Sequence, residues 1–119
     1  MKGAYVLIFE VLKDCEIIVG KLGLTFFKKG IYYYCGSAQN NLEKRIERHE
    51  RKEKKIHWHI DYLTTNKNIK MISSEKYENC QKSKECELAQ ELFKKKYNQI
   101  KNFGCTDCKC NSHLFYKNE

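Results

Sequence analysis

The sequence predicts an α/β domain of the α+β kind, with a small central antiparallel β-sheet flanked by helices. Three observations predict it. The first third of the chain is rich in β-branched and aromatic residues, cut into short runs by glycines and lysine-containing turns. Two later segments, from Leu42 and from Lys84, carry apolar residues at helical spacing. The chain has 119 residues, enough for one domain over 1–119 and too few for two with proper cores.

The elements follow in order. Residues 3–12, with Tyr5, Val6, Leu7, Ile8, Phe9 and Val11, are apolar enough for a central strand. Lys13-Asp14 is a turn signal, 16–19 a second short strand, and 24–27 a third after Gly20 and Gly23. Lys28-Lys29-Gly30 is a hairpin-type turn, 31–35 is the next strand, and Gly36 ends it. These runs are expected to form one antiparallel sheet. Asn40 or Asn41 can cap a helix that begins near Leu42. At about 100° per residue, Leu42, Ile46 and His49 share a stripe with Arg45 at its edge, while Lys44 and Arg48 point away to solvent. The run RHERKEKK ends this helix.

IHWHIDYL, residues 56–63, fits a strand or a helix. Its place between a helix and the polar TTNKN favours a short helix. Residues 69–73 read as a strand. Ser83 is expected to cap a helix over 84–97, with Leu88, Ala89, Leu92 and Phe93 inward. Glu85 falls in the middle of that stripe, and Glu87 and Glu91 point outward. The tail is a loop with a short apolar end.

Charged residues make up 32% of the chain, the net charge is +8 and the pI about 9.1. A small basic domain with 13% aromatics suits a nucleic-acid partner. No apolar run approaches the roughly 20 residues that cross a bilayer, and the N-terminus lacks a signal-peptide pattern. A cytoplasmic protein without membrane contact is expected. Seven cysteines, an odd number, then read as buried small residues or metal ligands before disulfides.

The segment YYYCGSAQNNLEKRIERH, from Tyr32 to His49, delivers tyrosine, arginine and histidine at a strand-to-helix junction. With Tyr5 and Glu85 it contains the groups that phosphodiester hydrolysis needs. These are a base for water, positive charge at the phosphate, and a carboxylate for a metal near the leaving oxygen. Arginine offers a planar fork to two phosphate oxygens. A carboxylate on an otherwise apolar helix face suits Mg²⁺. The plainer alternative makes Tyr5 and Tyr34 core aromatics, Arg45 an ordinary helix cation and Glu85 an acid placed near a helix N-terminus.

Gly3-Ala4-Tyr5 and Tyr34-Cys35-Gly36 resemble the two signature tripeptides of the GIY-YIG nucleases. Leu42, Arg45 and His49 follow at that superfamily's helix spacing, and HWHIDYL, ECELAQ and FGCTDCKCNSHLFY resemble a small single-domain branch of it in archaea and bacteria. The resemblance implies a metal-dependent DNA endonuclease using Mg²⁺ or Mn²⁺. It implies Tyr5 as general base or water-orienting group and Tyr34 as a positioner of water. Arg45 would stabilise phosphate charge, His49 would assist proton transfer, and Glu85 would bind the metal. Alanine and cysteine replace the usual middle residues of the tripeptides, but Ala4 and Cys35 alternate away from the tyrosine face. The gap between the tripeptides is longer than in most members and holds the extra hairpin over 16–27. With no separate DNA-binding domain, flap or branched DNA in repair or recombination is the expected substrate.

Other motifs remain. His57, His59 and Asp61 form an HxHxD run that could hold a transition metal, although substrate contact by the two histidines is preferred. His57 and Asp61 could also pair across one turn. Ser37, Arg48, Lys55, His57 and His59 are the expected substrate contacts. The basic segments 45–55 and 94–101 could hold nucleic-acid backbone, each neutralised phosphate steepening the salt dependence by about 0.9 in log–log slope. Cys105, Cys108, Cys110 and His113 form a compressed CxxCxCxxH, a candidate structural zinc site to which Cys80 and Cys86 could supply a second pair. The preferred alternative packs these cysteines between the tail and the Glu85 helix. Rival functions are a non-catalytic, zinc-stabilised nucleic-acid-binding module and an RNA nuclease.

Overall fold

Tyr32, Tyr33 and Tyr34 alternate across one strand, and that alternation sorts the core into two halves. The computed structural model describes residues 2–95, 97–104, 110 and 112–117. Its elements are β1 (Gly3–Val11), β2 (Cys15–Val19), β3 (Gly23–Phe27), β4 (Gly30–Ala38), α1 (Leu42–Glu50), α2 (His59–Thr64), β5 (Ile69–Glu78), α3 (Ser83–Lys94), β6 (Asn98–Gln99) and β7 (Leu114–Tyr116). Five strands form one antiparallel sheet in the order β5-β1-β4-β7-β6. The fold is therefore α+β with a central antiparallel sheet, as the periodicity predicts. Among the described residues no helix is long and apolar enough to cross a membrane.

One face of the sheet presents Tyr5, Leu7, Phe9, Tyr32 and Tyr34. Leu42 and Ile46 of α1, Ile60 and Leu63 of α2, and Ile17, Val19 and Phe27 of β2 and β3 cover it. The other face presents Ala4, Val6, Cys35 and Phe115 to Leu88 and Ala89 of α3. Ala4 and Cys35 thus lie opposite the tyrosines, and small side chains there let α3 approach.

The structure corrects several expectations. The first third is two sheets, because among the described residues β2 and β3 pair only with each other. They stand on the core with Ile18, Leu24 and Phe26 outward and exposed. Gly36 does not end its strand; β4 continues to Ala38, with Gly36 opposite Tyr5. β5 runs on to Glu78 because it pairs with β1 from end to end. Asn41 stands before α1 in a left-handed conformation (φ 51°) and makes no side-chain cap. Ser83 is the first residue of α3, not its cap. That helix stops at Lys94, which leaves Phe93 56% exposed. The short helix in IHWHIDYL starts only at His59, and the strand β6 carries no sequence signal.

Two glycines are demanded by close approach. A Cβ on Gly36 would lie 2.5 Å from the Cζ and Oη of Tyr5, so the tyrosine ring occupies the space a side chain would take. A Cβ on Gly3 would lie 2.4 Å from the carbonyl oxygen of Tyr77 and 2.8 Å from Leu42 Cδ2. Gly36→Ala and Gly3→Ala should each cost about 1–3 kcal/mol in urea denaturation. Wild-type midpoints for both variants would contradict this packing.

Candidate functional site

The end of the sheet where β4 leaves for α1 opens into a cleft of about 590 Å³. Tyr5, Tyr34, Ser37, Arg45 and Glu85 line it from β1, β4, α1 and α3. Trp58, Lys82 and Gly104 line it too, as do His57 and His59.

The register of β1 against β4 lays the Tyr5 ring across Gly36 toward α1. There Tyr5 Oη lies 2.8 Å from His49 Nε2, with both residues buried. Burial lowers the pKa of His49 to about 3, and Lys54 pushes the same way against the opposing pull of Asp61. The imidazole is therefore neutral at pH 7. His49 Nδ1 lies 4.0 Å from Asp61 Oδ1 and has no hydrogen-bond partner among the described residues. The tautomer protonated at Nδ1 points its N–H at that carboxylate, which leaves Nε2 to accept from the Tyr5 hydroxyl. Burial also pushes the Tyr5 phenol well up, only partly opposed by Arg45, so it is protonated at neutral pH. Burial raises Tyr34 likewise.

Ser37 joins Arg45 and Glu85. Its carbonyl oxygen accepts from Arg45 Nη1 at 3.1 Å, and its hydroxyl donates to Glu85 Oε1 at 3.1 Å. Both functional groups of this predicted substrate contact are thus engaged within the protein. The Arg45 guanidinium lies 4.3 Å from the centre of the Trp58 ring, and that of Arg48 lies 4.7 Å from it. Trp58 and Lys82 are cleft residues that the sequence motifs do not single out. The available signal for Trp58 is an aromatic between two histidines, following a helix that carries Arg45 and Arg48.

Arg48 does not face solvent. Its guanidinium grips Asp61 through Nη1 to Oδ1 at 2.9 Å and Nη2 to Oδ2 at 3.0 Å, and Nη2 also donates to the Lys55 carbonyl. The chain after α1 folds back over Arg48, while Glu43, Lys44, Glu47 and Glu50 on the same helix stay exposed. Asp61 Oδ2 further accepts the backbone N–H groups of His57 and Trp58. The expected His57–Asp61 pair therefore runs through the backbone and not the imidazole. Burial would raise the Asp61 carboxyl, but these donors outweigh it and hold the pKa below the ordinary value.

His59 Nδ1 accepts from the Gly104 N–H at 3.0 Å. With Asp61 so engaged, the HxHxD run forms no metal-ligand cluster among the described residues. Much of the basic segment 45–55 is also turned inward. Lys52 donates to the carbonyls of Asn66 and Ile69, and Lys54 to those of Arg48 and His49. The exposed Lys55 side chain lies outside the residues that line the cleft.

A second cluster lies behind Glu85. Cys86 of α3, Cys110 and His113 bring their ligand atoms within 4.8 Å of one another, a group able to hold a metal ion. Cys86 Sγ is 3.7 Å from His113 Nε2, and His113 Nδ1 is 3.6 Å from Glu85 Oε2. Of the expected zinc set, Cys105 and Cys108 lie outside the described residues. Cys80 is not in the cluster; its thiol donates to the Glu78 carbonyl.

A family model described as "Domain of unknown function DUF123" matches residues 4–119. No curated protein and no solved structure matches the chain.

The pKa of His49 sets a stability test. In the unfolded chain the imidazole titrates near its ordinary value of 6.5, so between there and about 3 the unfolded state binds the extra proton. The contribution of neutral His49 is complete above pH 6.5 and is lost as the pH falls below it. Between pH 7 and about pH 4.5, wild type should lose roughly 2–3 kcal/mol more in urea denaturation than His49→Gln. Equal losses would mean that the buried imidazole does not control this limb.

Proposed function

This chain belongs to the family described as Domain of unknown function DUF123, and we propose that it is a metal-dependent DNA endonuclease of the GIY-YIG type. One observation carries the reading. A single cleft holds a tyrosine bonded to a neutral histidine, an arginine fork, and a carboxylate joined to that arginine through Ser37. These are a proton-accepting chain, a phosphate clamp and a hard oxygen ligand, the set that phosphodiester hydrolysis requires.

In the proposed reaction, Arg45 binds the non-bridging oxygens of the scissile phosphate, its position fixed by the Ser37 carbonyl and the Trp58 ring. Water is oriented at Tyr5 Oη. As its oxygen attacks phosphorus in line, its proton passes to Tyr5 Oη while the Tyr5 hydroxyl proton passes to His49 Nε2. Asp61 faces the opposite nitrogen and offsets part of the burial that opposes the imidazolium, which exists only during the transfer. A direct proton acceptance by Tyr5 alone would need a tyrosinate, which burial opposes. The bond to the leaving oxygen breaks, that oxygen takes a proton from solvent, and His49 returns its proton through Tyr5 to solvent. The resemblance to GIY-YIG enzymes implies a 5′-phosphate and a 3′-hydroxyl as products.

The residues fit a magnesium ion. Glu85 is the carboxylate of the cleft, and Mg²⁺ takes one or two carboxylates and keeps several waters. Glu85 would hold it, and the bound ion would supply positive charge toward the leaving oxygen. Tyr34 would orient solvent beside it. The basic residues at the mouth, Lys82 and His57 among them, favour a polyanion. Arg48 and Ser37 act by holding Trp58, Arg45 and Glu85 in place.

The test is cleavage of an end-labelled panel of single-stranded, duplex, flap and four-way DNA, with RNA counterparts, in Mg²⁺ or in EDTA. Wild type should cut a flap or branched DNA only with the metal. Tyr5→Phe and Glu85→Ala should each lose about 10²–10⁴-fold. Binding without cutting in any lane would make the protein a nucleic-acid-binding module. Preference for the RNA lanes would make it an RNA nuclease.

A further inference from the structure

We infer that Cys86, Cys110 and His113 bind a zinc ion, and that this ion positions Glu85 through the His113 ring. The first argument is donor chemistry. Two thiol sulfurs and an imidazole nitrogen are soft and borderline ligands, which select zinc over magnesium. The second is spacing. Zn–S near 2.3 Å and Zn–N near 2.0–2.1 Å in a tetrahedron place neighbouring ligand atoms roughly 3.5–3.8 Å apart. Cys86 Sγ and His113 Nε2 are 3.7 Å apart, with Cys110 in the same group.

The third argument is the orientation of His113. Its ring is fully buried, with Nε2 on the thiol side and Nδ1 3.6 Å from Glu85 Oε2. A metal-bound histidine commonly donates its other N–H to a carboxylate, which fixes both ring and tautomer. Zinc on Nε2 would place the remaining proton on Nδ1, facing Glu85. The carboxylate then has a hydroxyl on one oxygen, from Ser37, and an imidazole N–H beside the other. The cluster also ties α3 to the chain entering β7. The site requires nothing of the nuclease reading; only the consequence for catalysis rests on it.

Reduced full-length protein, purified with zinc and dialysed, should contain one zinc per chain by elemental analysis. Cys80→Ser should keep that equivalent, and Cys86→Ser and Cys110→Ser should lose it. Cobalt(II) in place of zinc should show a thiolate charge-transfer band that is absent in Cys110→Ser. If those variants fail to fold, wild type still decides. Zinc should slow alkylation of Cys86 and Cys110 by N-ethylmaleimide at least about tenfold relative to the chelated protein. Glu85→Ala should retain the stoichiometry at saturation but bind zinc about 10–100-fold more weakly. No zinc after reconstitution, stoichiometric iron instead, or equal alkylation rates would overturn the site. Unchanged zinc affinity in Glu85→Ala would overturn the coupling to Glu85.

Discussion

The cleft depends on one fully buried carboxylate, that of Asp61. It receives four hydrogen bonds: two from the Arg48 fork and one each from the backbone of His57 and Trp58. A charge at that depth is tolerable only with this degree of pairing. Its partners reach far beyond the pair. Arg48 belongs to α1 and Asp61 to α2, so the bridge clamps the two helices together. The backbone donors close the connection between them and present the Trp58 ring to Arg45 and Arg48. The same carboxylate faces His49 Nδ1. Local charge satisfaction thus sets the positions of Trp58, Arg45 and His49.

Glu85 stands where two kinds of chemistry meet. Glu85 and Cys86 are consecutive on α3, so they point about 100° apart. One turns into the cleft beside Ser37 and the other into a sulfur–nitrogen cluster. His113 lies between them and touches both. Helix geometry therefore keeps hard and soft donors apart while leaving them mechanically linked.

Much of this was legible in the sequence. Tyr5 and Tyr34 reached the same face because a strand has period two, and Arg45, His49 and Glu85 were picked by helical angle. What escaped was long-range. A helical wheel assigns an outward residue to solvent, but the segment after α1 folds back over Arg48, and no periodicity encodes that return. Gly36 looks like a terminator in the sequence because glycine weakens strands. Its real cause is the Tyr5 ring, thirty-one residues away in the sequence. The cysteine tail offers a candidate metal site with Cys80 and Cys86 as further candidates, and only the fold chooses between them, by placing Cys86 beside His113.

The β2–β3 hairpin bears on how such a chain can change length. Val11 and Gly30 are direct partners in the β1–β4 ladder, so the segment between them leaves the sheet and returns to the same rung. A whole excursion could lengthen or shorten there without altering which residue faces Tyr5. Loss of a single residue inside β1 would instead turn every later side chain to the opposite face. The excursion is nevertheless not expendable, since its own Val19 and Phe27 are fully buried in the core. Topology makes this part of the protein a detachable module, whereas packing makes it a lid on the core. Descent by insertion and deletion is therefore open only to variants that refill that space.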